Sequence, residues 1–227
     1  MSVVTIIPAR GGSKGIPRKN LIDFAGRPLL WWSVDQALKS TSVDAVYVTS
    51  DSDEILDAAR SWGARPIRRP DELSGDTASS ESALLHALDT IGGEPDAVVF
   101  LQPTSPLRKP GDIDGAVGHF RASGADSLFS GAKLEDFIVW HREDDTLECL
   151  NHDWRARKRR QERHGMSYVE NGSVYVFRPA ILRETNNRFG GRIEIFEMAL
   201  WQSFEIDDLE GLDLCQTLFR HYLWTQP

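Results

Sequence analysis

Cysteine is nearly absent from this sequence, since Cys149 and Cys215 are the only two among 227 residues. Two cysteines provide neither a disulfide framework nor a site with four thiolate ligands. Long apolar runs are lacking too, because charged residues interrupt every stretch of about 20 residues, the length that a membrane-spanning helix needs. The opening MSVVTIIPA has neither the basic segment nor the cleavage site of a secretory signal. We therefore expect a cytoplasmic protein without a membrane partner.

Positive charge does not dominate either, because 26 Lys and Arg residues stand against 34 Asp and Glu, a net charge of −8. Such a balance disfavours a nucleic-acid partner. Disorder is excluded, since hydrophobic residues make up 41% of the chain and 10 Phe, 7 Trp and 4 Tyr can fill a core. We expect a single domain over residues 1–227.

Short apolar runs alternate with amphipathic segments, which predicts an α/β fold built on a doubly wound, mostly parallel sheet. Strands are expected at residues 3–8, 45–50, 64–69, 97–102, 126–130, 173–178, 193–198 and 203–207. Helices are expected at residues 28–40, 52–62, 79–91, 110–123 and 208–223. The segment 133–168 is polar and irregular and carries the basic run RARKRRQER, so we interpret it as an insertion that leaves the sheet.

The loop after the first strand, Pro8 to Asn20, reads PARGGSKGIPRKN and combines three glycines with four cations. Glycines allow successive backbone N–H groups to point at one anion, and Lys and Arg neutralise a polyphosphate. Loops at the carboxyl ends of parallel strands are also where open α/β sheets bind ligands. The patterns GxxxxGK[ST] and GxGxxG are absent, which disfavours P-loop kinases and NAD-type dehydrogenases. The loop therefore predicts a different nucleotide site, and the alternative is a solvated basic turn.

This loop closely resembles the signature of the acylneuraminate cytidylyltransferases, the CMP-sialic acid synthetases. The resemblance extends over nearly the whole chain. It includes RPDELSGDTASS (69–80), LQPTSPLR (101–108), RRQ (159–161), ENGSVYVF (170–177) and FEIDDLEGLD (204–213). The family implies a Rossmann-like fold, transfer of CMP from CTP to the anomeric hydroxyl of a nonulosonic acid, release of pyrophosphate, Mg²⁺ and a homodimer. It also implies that the insertion is a dimerisation arm that contacts substrate.

The resemblance implies three sets of site residues. The CTP-binding set is Arg10, Gly11, Gly12, Ser13, Lys14, Lys19, Asn20, Arg69, Ser79 and Ser80. The sugar-acid set is Gln102, Thr104, Ser105, Arg160, Gln161, Glu170 and Asn171. The catalytic set is Arg10, Lys19, Arg159, Arg160 and Asp207.

Several of these residues also have plainer interpretations. Asp51 and the serines at 79 and 80 can cap helices. Arg108 can cap a sheet edge, and Asn171 with the glycine after it can form a turn. The basic run at 155–163 can be a solvated arm, while the sparse aromatic residues around it argue against nucleic acid.

Glu205 and Asp207 stand two positions apart on a predicted strand, so both should face one side. Two carboxylates that share a face repel unless a cation lies between them. The pair matches the acidic pair that binds Mg²⁺ in the family, where the usual form is Asp-x-Asp. We therefore expect Glu205 and Asp207 to bind Mg²⁺, with Asp208 capping the last helix.

One position departs from the family pattern. In one branch an Arg stands two residues before the Asn-Gly of the later motif, and Val169 occupies that place here. The sequence consequently does not identify the group that holds the substrate carboxylate or the nonulosonic acid that is used. Two alternatives remain, a synthetase for the related octulosonate (CMP-Kdo) and a nucleotide-binding module without catalysis.

Overall fold

The computed structural model describes residues 1–13, 15–75, 77–135, 137–156, 159, 162 and 165–224. Within these residues the strands are β1 (Val3–Pro8), β2 (Asp23–Phe24), β3 (Arg27–Pro28), β4 (Ala45–Ser50), β5 (Arg65–Arg68), β6 (Ala97–Leu101), β7 (Ser127–Lys133), β8 (Trp140–Glu143), β9 (Thr146–Cys149), β10 (Tyr168–Phe177) and β11 (Ile193–Glu197). The helices are α1 (Leu29–Lys39), α2 (Asp53–Ser61), α3 (Ser80–Ile91), α4 (Asp112–Ser123), α5 (Pro179–Thr185) and α6 (Leu209–Tyr222).

The central sheet has seven strands in the order β11-β7-β10-β6-β1-β4-β5. β10 alone is antiparallel to its neighbours β6 and β7, and the other pairings are parallel. The chain runs outward from β1 through β4 to β5 and then returns to place β6 on the other side of β1. This reversal is the topological switch point at which open α/β sheets bind ligands. The Rossmann-like, mostly parallel sheet is confirmed.

Apolar side chains alternate between the two faces of the sheet, so helices cover both. Val3 and Ile7 face a core that includes side chains of α1, α2 and α4. Val4 and Ile6 face the opposite core, which includes side chains of α3 and α5. The continuous apolar runs of the parallel strands thus reflect burial on both faces.

A third cluster joins α6 to the start of α1 and to the loop after β6. Phe219 stacks edge-to-face on Phe24, with ring centroids 5.2 Å apart. Ile206 and Leu107 are buried in the same cluster. Packing by α6 therefore holds the segment just before it against the carboxyl edge of the sheet.

Two expectations about the later chain have different outcomes. Lys133 and Tyr168 are still paired in the sheet, at the ends of β7 and β10, so the predicted insertion at 133–168 is one residue too long at each end. Between them β8 and β9 form a separate antiparallel hairpin. The strand predicted at 203–207 is wrong, because residues 200–203 form a 3₁₀ turn and 204–206 belong to no sheet. Among the helices of the described residues, none is long and apolar enough to cross a bilayer.

Candidate active site

A pocket opens at the switch point, over the carboxyl ends of β1 and β6. It has two adjoining parts that share Pro8, Arg10 and Ser80. The inner part is lined by Pro8, Arg10, Gly12, Ser13, Lys19, Asn20, Ser80, Phe100, Gln102, Pro103 and Thr104. The outer part is lined by Pro8, Arg10, Arg69, Leu73, Ser74, Gly75, Ala78, Ser79 and Ser80. Most of the residues predicted for the nucleotide therefore meet in one place.

The loop after β1 is folded back on itself by its own polar groups. Asn20 is buried, and its amide Nδ2 donates to the carbonyl of Arg10 at 2.9 Å. The Gly11 N–H donates to Asp51 Oδ1 at 2.9 Å. Asp51 therefore supports the loop, and the alternative that it caps α2 is wrong: α2 begins after Ser52 without a side-chain cap.

Arg69 brings a buried positive charge to the outer part of the pocket. Its side chain is only 6% exposed and lies 4.0 Å from Asp51 Oδ1. Burial lowers the pKa of Arg69, and the charge of Arg10 lowers it further, while Asp51 opposes both. Its buried Nε has no hydrogen-bond partner. Arg10 and Arg69 repel each other, and an anionic ligand between or beside them would relieve this repulsion.

Ser79 and Ser80 have different roles at the start of α3. The Ser79 hydroxyl accepts from the Ser82 N–H at 3.1 Å and caps α3, so the capping interpretation is confirmed for Ser79. Ser80 lines both parts of the pocket at the amino end of the same helix. A helix amino end favours anionic groups nearby.

The acidic segment before α6 contacts two residues that line the inner pocket, Lys19 and Thr104. Lys19 Nζ contacts Asp207 Oδ1 at 3.0 Å, across 188 residues of sequence. The Ile206 N–H donates to the Thr104 carbonyl at 2.9 Å, which ties the segment to the loop after β6. Gly15 approaches so closely that a Cβ there would lie 2.1 Å from the Asp207 carbonyl oxygen. The predicted convergence of the first loop and the acidic pair is thus confirmed.

Glu205 lies deeper than Asp207 and is half-buried. Burial raises the pKa of Glu205, and the charge of Asp207 raises it further, whereas the Ser105 hydroxyl and Lys19 oppose the shift. The two carboxylates are therefore close enough to repel each other, although no strand carries them. Ile206, which stands between them, is fully buried.

The carboxylate pair has the chemistry of a magnesium site. Glu205 and Asp207 supply hard oxygen donors, and their mutual repulsion is what a cation between them would relieve. No cluster of three or more potential ligand side chains occurs among the described residues. Two carboxylates are enough for Mg²⁺, which binds one or two of them and completes its coordination shell with phosphate oxygens and water.

Arg108 is buried near the carboxyl end of β6, and its contacts with backbone carbonyls there agree with the alternative that it caps the edge of the sheet. It is 1% exposed, and burial lowers its pKa to about 9, with Asp112 and Glu205 opposing. Its guanidinium donates to the backbone carbonyls of Gln102 at 2.8 Å and Ser173 at 3.1 Å. Arg108 thereby fixes the backbone of Gln102, whose side chain lines the pocket.

The motif at 170–172 contributes in an unexpected way. Asn171 was predicted to contact the sugar acid, but its side chain is buried and its Oδ1 accepts from the Ser130 hydroxyl at 2.6 Å. The structure does not bring Asn171 into the pocket. Gly172 instead gives room to pocket groups, because a Cβ there would lie 2.1 Å from Glu205 Oε1 and 2.5 Å from Gln102 Oε1.

Some predicted residues are not placed in the pocket. Lys14, Arg160 and Gln161 lie outside the described residues. Arg159 is exposed, and its guanidinium pairs with Glu162 of the same segment at 2.6 Å. A role for Arg159 and Arg160 in the reaction stays a prediction.

The sequence did not predict three residues near the site, Glu81, Tyr175 and Arg188. Arg188 contacts Glu81 at 2.6 Å, and the Tyr175 hydroxyl donates to the predicted residue Glu170. Tyr175 stands in the quoted ENGSVYVF motif, but nothing in its spacing indicated a polar contact. Arg188 lies outside every motif that the sequence offered.

Comparison with known sequences identifies the family. A family model described as cytidylyltransferase matches residues 4–215. The N-acylneuraminate cytidylyltransferase of Oncorhynchus mykiss is 34% identical over 209 residues, which are 90% of this chain and 47% of that protein. The pseudaminic acid cytidylyltransferase of Campylobacter jejuni is 30% identical over 227 residues, 97% of each chain. This chain therefore spans about half of the fish relative and nearly all of the bacterial one.

Solved structures share the fold. A CMP:2-keto-3-deoxy-manno-octonic acid synthetase complexed with CTP superposes with a TM-score of 0.74 at 19% identity, covering 98% of this chain and all of that one. The 4-diphosphocytidyl-2C-methyl-D-erythritol synthase of Anaerococcus prevotii gives a TM-score of 0.68 at 13% identity, covering 96% and 98%. Fold, pocket and sequence agree, and the chain belongs to the cytidylyltransferase family, as the resemblance of its first loop to the acylneuraminate cytidylyltransferases predicted.

Proposed function

We propose that this protein transfers CMP from CTP to the anomeric hydroxyl of a nonulosonic acid and releases pyrophosphate. The observation that carries the proposal is the contact between Lys19 and Asp207, which joins the cationic loop to the acidic pair in one pocket. A triphosphate needs the cations, and a metal that accompanies it needs the carboxylates. Relatives named for N-acylneuraminate and pseudaminic acid support a sugar acid as the second substrate.

The chain's own residues would act mainly by position and charge. Attack at the α-phosphorus moves negative charge onto the departing pyrophosphate, and fixed cations that are already in place lower the barrier. Arg10, Lys19 and Arg69 are the described cations that line the pocket. Gln102 lies at the border between the nucleotide loop and the acidic segment, where its amide can orient the acceptor hydroxyl.

Mg²⁺ fits this arrangement. Glu205 and Asp207 would hold the ion, and its site would lie beside Lys19. When bound, it supplies charge neutralisation at the phosphates and lowers the pKa of a coordinated hydroxyl. With Asp207 holding the ion, Lys19 would be available to pair with the phosphates.

The insertion at 133–168 supports a homodimer. Its exposed apolar side chains, each at least 40% accessible, are Phe137, Val139, Trp140, Leu147, Leu150, Trp154 and Met166. A concentration of large exposed apolar groups marks an interaction surface. The β8–β9 hairpin and its flanks would pack against a second copy, which also offers a route for Arg159 and Arg160 to reach the partner's pocket.

A substrate panel tests the proposal. The protein is incubated with CTP and Mg²⁺ and with N-acetylneuraminic, deaminoneuraminic, legionaminic, pseudaminic or 3-deoxy-octulosonic acid, and pyrophosphate is measured. We expect release with at least one nonulosonic acid, and none when CTP is replaced by ATP. Pyrophosphate release only with the octulosonic acid, or with none of the five acids, would refute the assignment.

A further inference from the structure

Arg188 lies in the loop after α5, in a box of aromatic rings at the pocket wall. Its guanidinium carbon is 4.5 Å from the ring centre of Tyr175, 5.5 Å from that of Phe100 and 5.6 Å from that of Phe189. The side chain is only 18% exposed, and its buried Nε has no hydrogen-bond partner. A cation that has lost so much water is held by ring faces and by the carboxylates beside it.

Two carboxylates flank this guanidinium, one largely buried and one open to solvent. Glu81 in the first turn of α3 accepts from Arg188 Nη1 at 2.6 Å and is 17% exposed. Glu170 lies 3.9 Å from Nη2 and is 41% exposed. The Tyr175 hydroxyl also donates to Glu170. Glu81 therefore anchors Arg188, while Glu170 keeps oxygen lone pairs available to a ligand.

The open carboxylate lies close enough to the acidic pair to interact with it. Glu170 interacts electrostatically with Glu205, and Phe100 of the aromatic box lines the inner pocket. Three carboxylates near each other would repel, so Glu170 needs a reason to stay. Arg188 lies 3.9 Å from the Glu170 carboxylate and the Tyr175 hydroxyl donates to it, so both groups offset this repulsion.

We propose that Arg188 is a positioning residue which, with Tyr175, holds Glu170 as a hydrogen-bond acceptor for an O–H or N–H group of the second substrate. This rests on the proposed function, in which that substrate is a sugar acid. An ionised carboxylate only accepts hydrogen bonds, so this wall selects a hydroxyl or acylamino group and rejects an anionic one. The substrate's own carboxylate must then bind elsewhere in the pocket. Arg188 thus contributes to deciding which sugar acid is used.

Two variants and a matched control test the inference by steady-state kinetics. Arg188→Met removes the charge at similar length, and Tyr175→Phe removes only the hydroxyl. Arg183→Met is the control, because Arg183 also bridges α5 to two carboxylates, Asp89 and Glu94 at 2.8 Å each, but at the other end of α3. We expect KM for the sugar acid to rise about 10-fold in Arg188→Met, with KM for CTP unchanged, and Arg188→Lys to recover part of the loss.

Analogues of the sugar acid that lack a single hydroxyl or acylamino group provide the sharper readout. For one such analogue the loss caused by Tyr175→Phe or Arg188→Met should disappear, because the group that Glu170 accepts from is already missing. Equal rises in KM for CTP and for the sugar acid, or kinetics like those of Arg183→Met, would overturn the inference while the activity of the unmodified protein stands. An unmodified protein that is inactive with every sugar acid would overturn the proposed function and this inference with it.

Discussion

Adding one methyl group at Gly172 should disturb the candidate active site far more than it destabilises the fold. Its φ of +65° is in the left-handed region, where an L side chain costs about 1–2 kcal/mol. Gly172→Ala also places a Cβ 2.1 Å from Glu205 Oε1, whereas an ordinary contact is at least 3.4 Å. The carboxylate must therefore retreat by more than 1 Å, and Gln102 Oε1 at 2.5 Å must move as well.

Gly124→Ala is the matched control, because Gly124 has a φ of +65° in the left-handed region and no atom within 4 Å of the added Cβ. Both variants should lose about 2–8 °C in Tm from the backbone cost alone. Displacing a catalytic group by 1 Å costs about 100-fold in rate. We expect kcat/KM for pyrophosphate release to fall about 100-fold in Gly172→Ala and to stay within about 2-fold in Gly124→Ala. Equal activity of the two variants would show that the packing of Glu205 against Gly172 does not matter for the reaction.

Further predictions concern the metal, the fold and the arm. Asp207→Asn should lower kcat about 100-fold and weaken the Mg²⁺ dependence. Asp208→Ala, which removes the side-chain cap of α6, should lower Tm and spare kcat. The reverse pattern would refute the metal assignment. Burial raises the pKa of Asp114, but hydrogen bonds from Ser40 and Ser42 outweigh this and lower it overall. Asp114→Asn should therefore cost about 1 kcal/mol of unfolding free energy at pH 7. This difference in urea titrations should shrink as the pH falls below about 3.9, and a difference that is constant with pH would contradict it. Trp140→Glu should convert a dimer to a monomer in light scattering, and a variant that remains dimeric would contradict the role of the arm.

The sequence could predict those features that depend on local pattern. Continuous apolar runs indicated strands buried on both faces, and the alternation with helices indicated a parallel sheet. Lys19 and Asp207 were placed in one pocket because parallel strands bring their carboxyl ends to one edge and because the motifs resembled a known family. The prediction was right that Glu205 and Asp207 lie close together and wrong that a strand carries them. Residues 204–206 belong to no sheet, and the Ile206 N–H donates to the Thr104 carbonyl.

Features that depend on contacts between distant segments could not be read in advance. Arg188 acquires its role only because α3 supplies Glu81, β10 supplies Glu170, and aromatic rings from three segments enclose the guanidinium. Asn171 looked like a ligand because it precedes a glycine in a motif, yet its amide is consumed by Ser130 within the sheet. A motif identifies a neighbourhood, while tertiary packing decides which of its side chains face the ligand.

The most direct test of the account is a crystal structure of the protein with CTP and Mn²⁺, in which anomalous scattering locates the metal. We predict one strong peak between the carboxylates of Glu205 and Asp207, with the triphosphate against Arg10 and Lys19. A metal peak remote from these carboxylates, or a triphosphate outside the pocket above β1 and β6, would contradict the central claim.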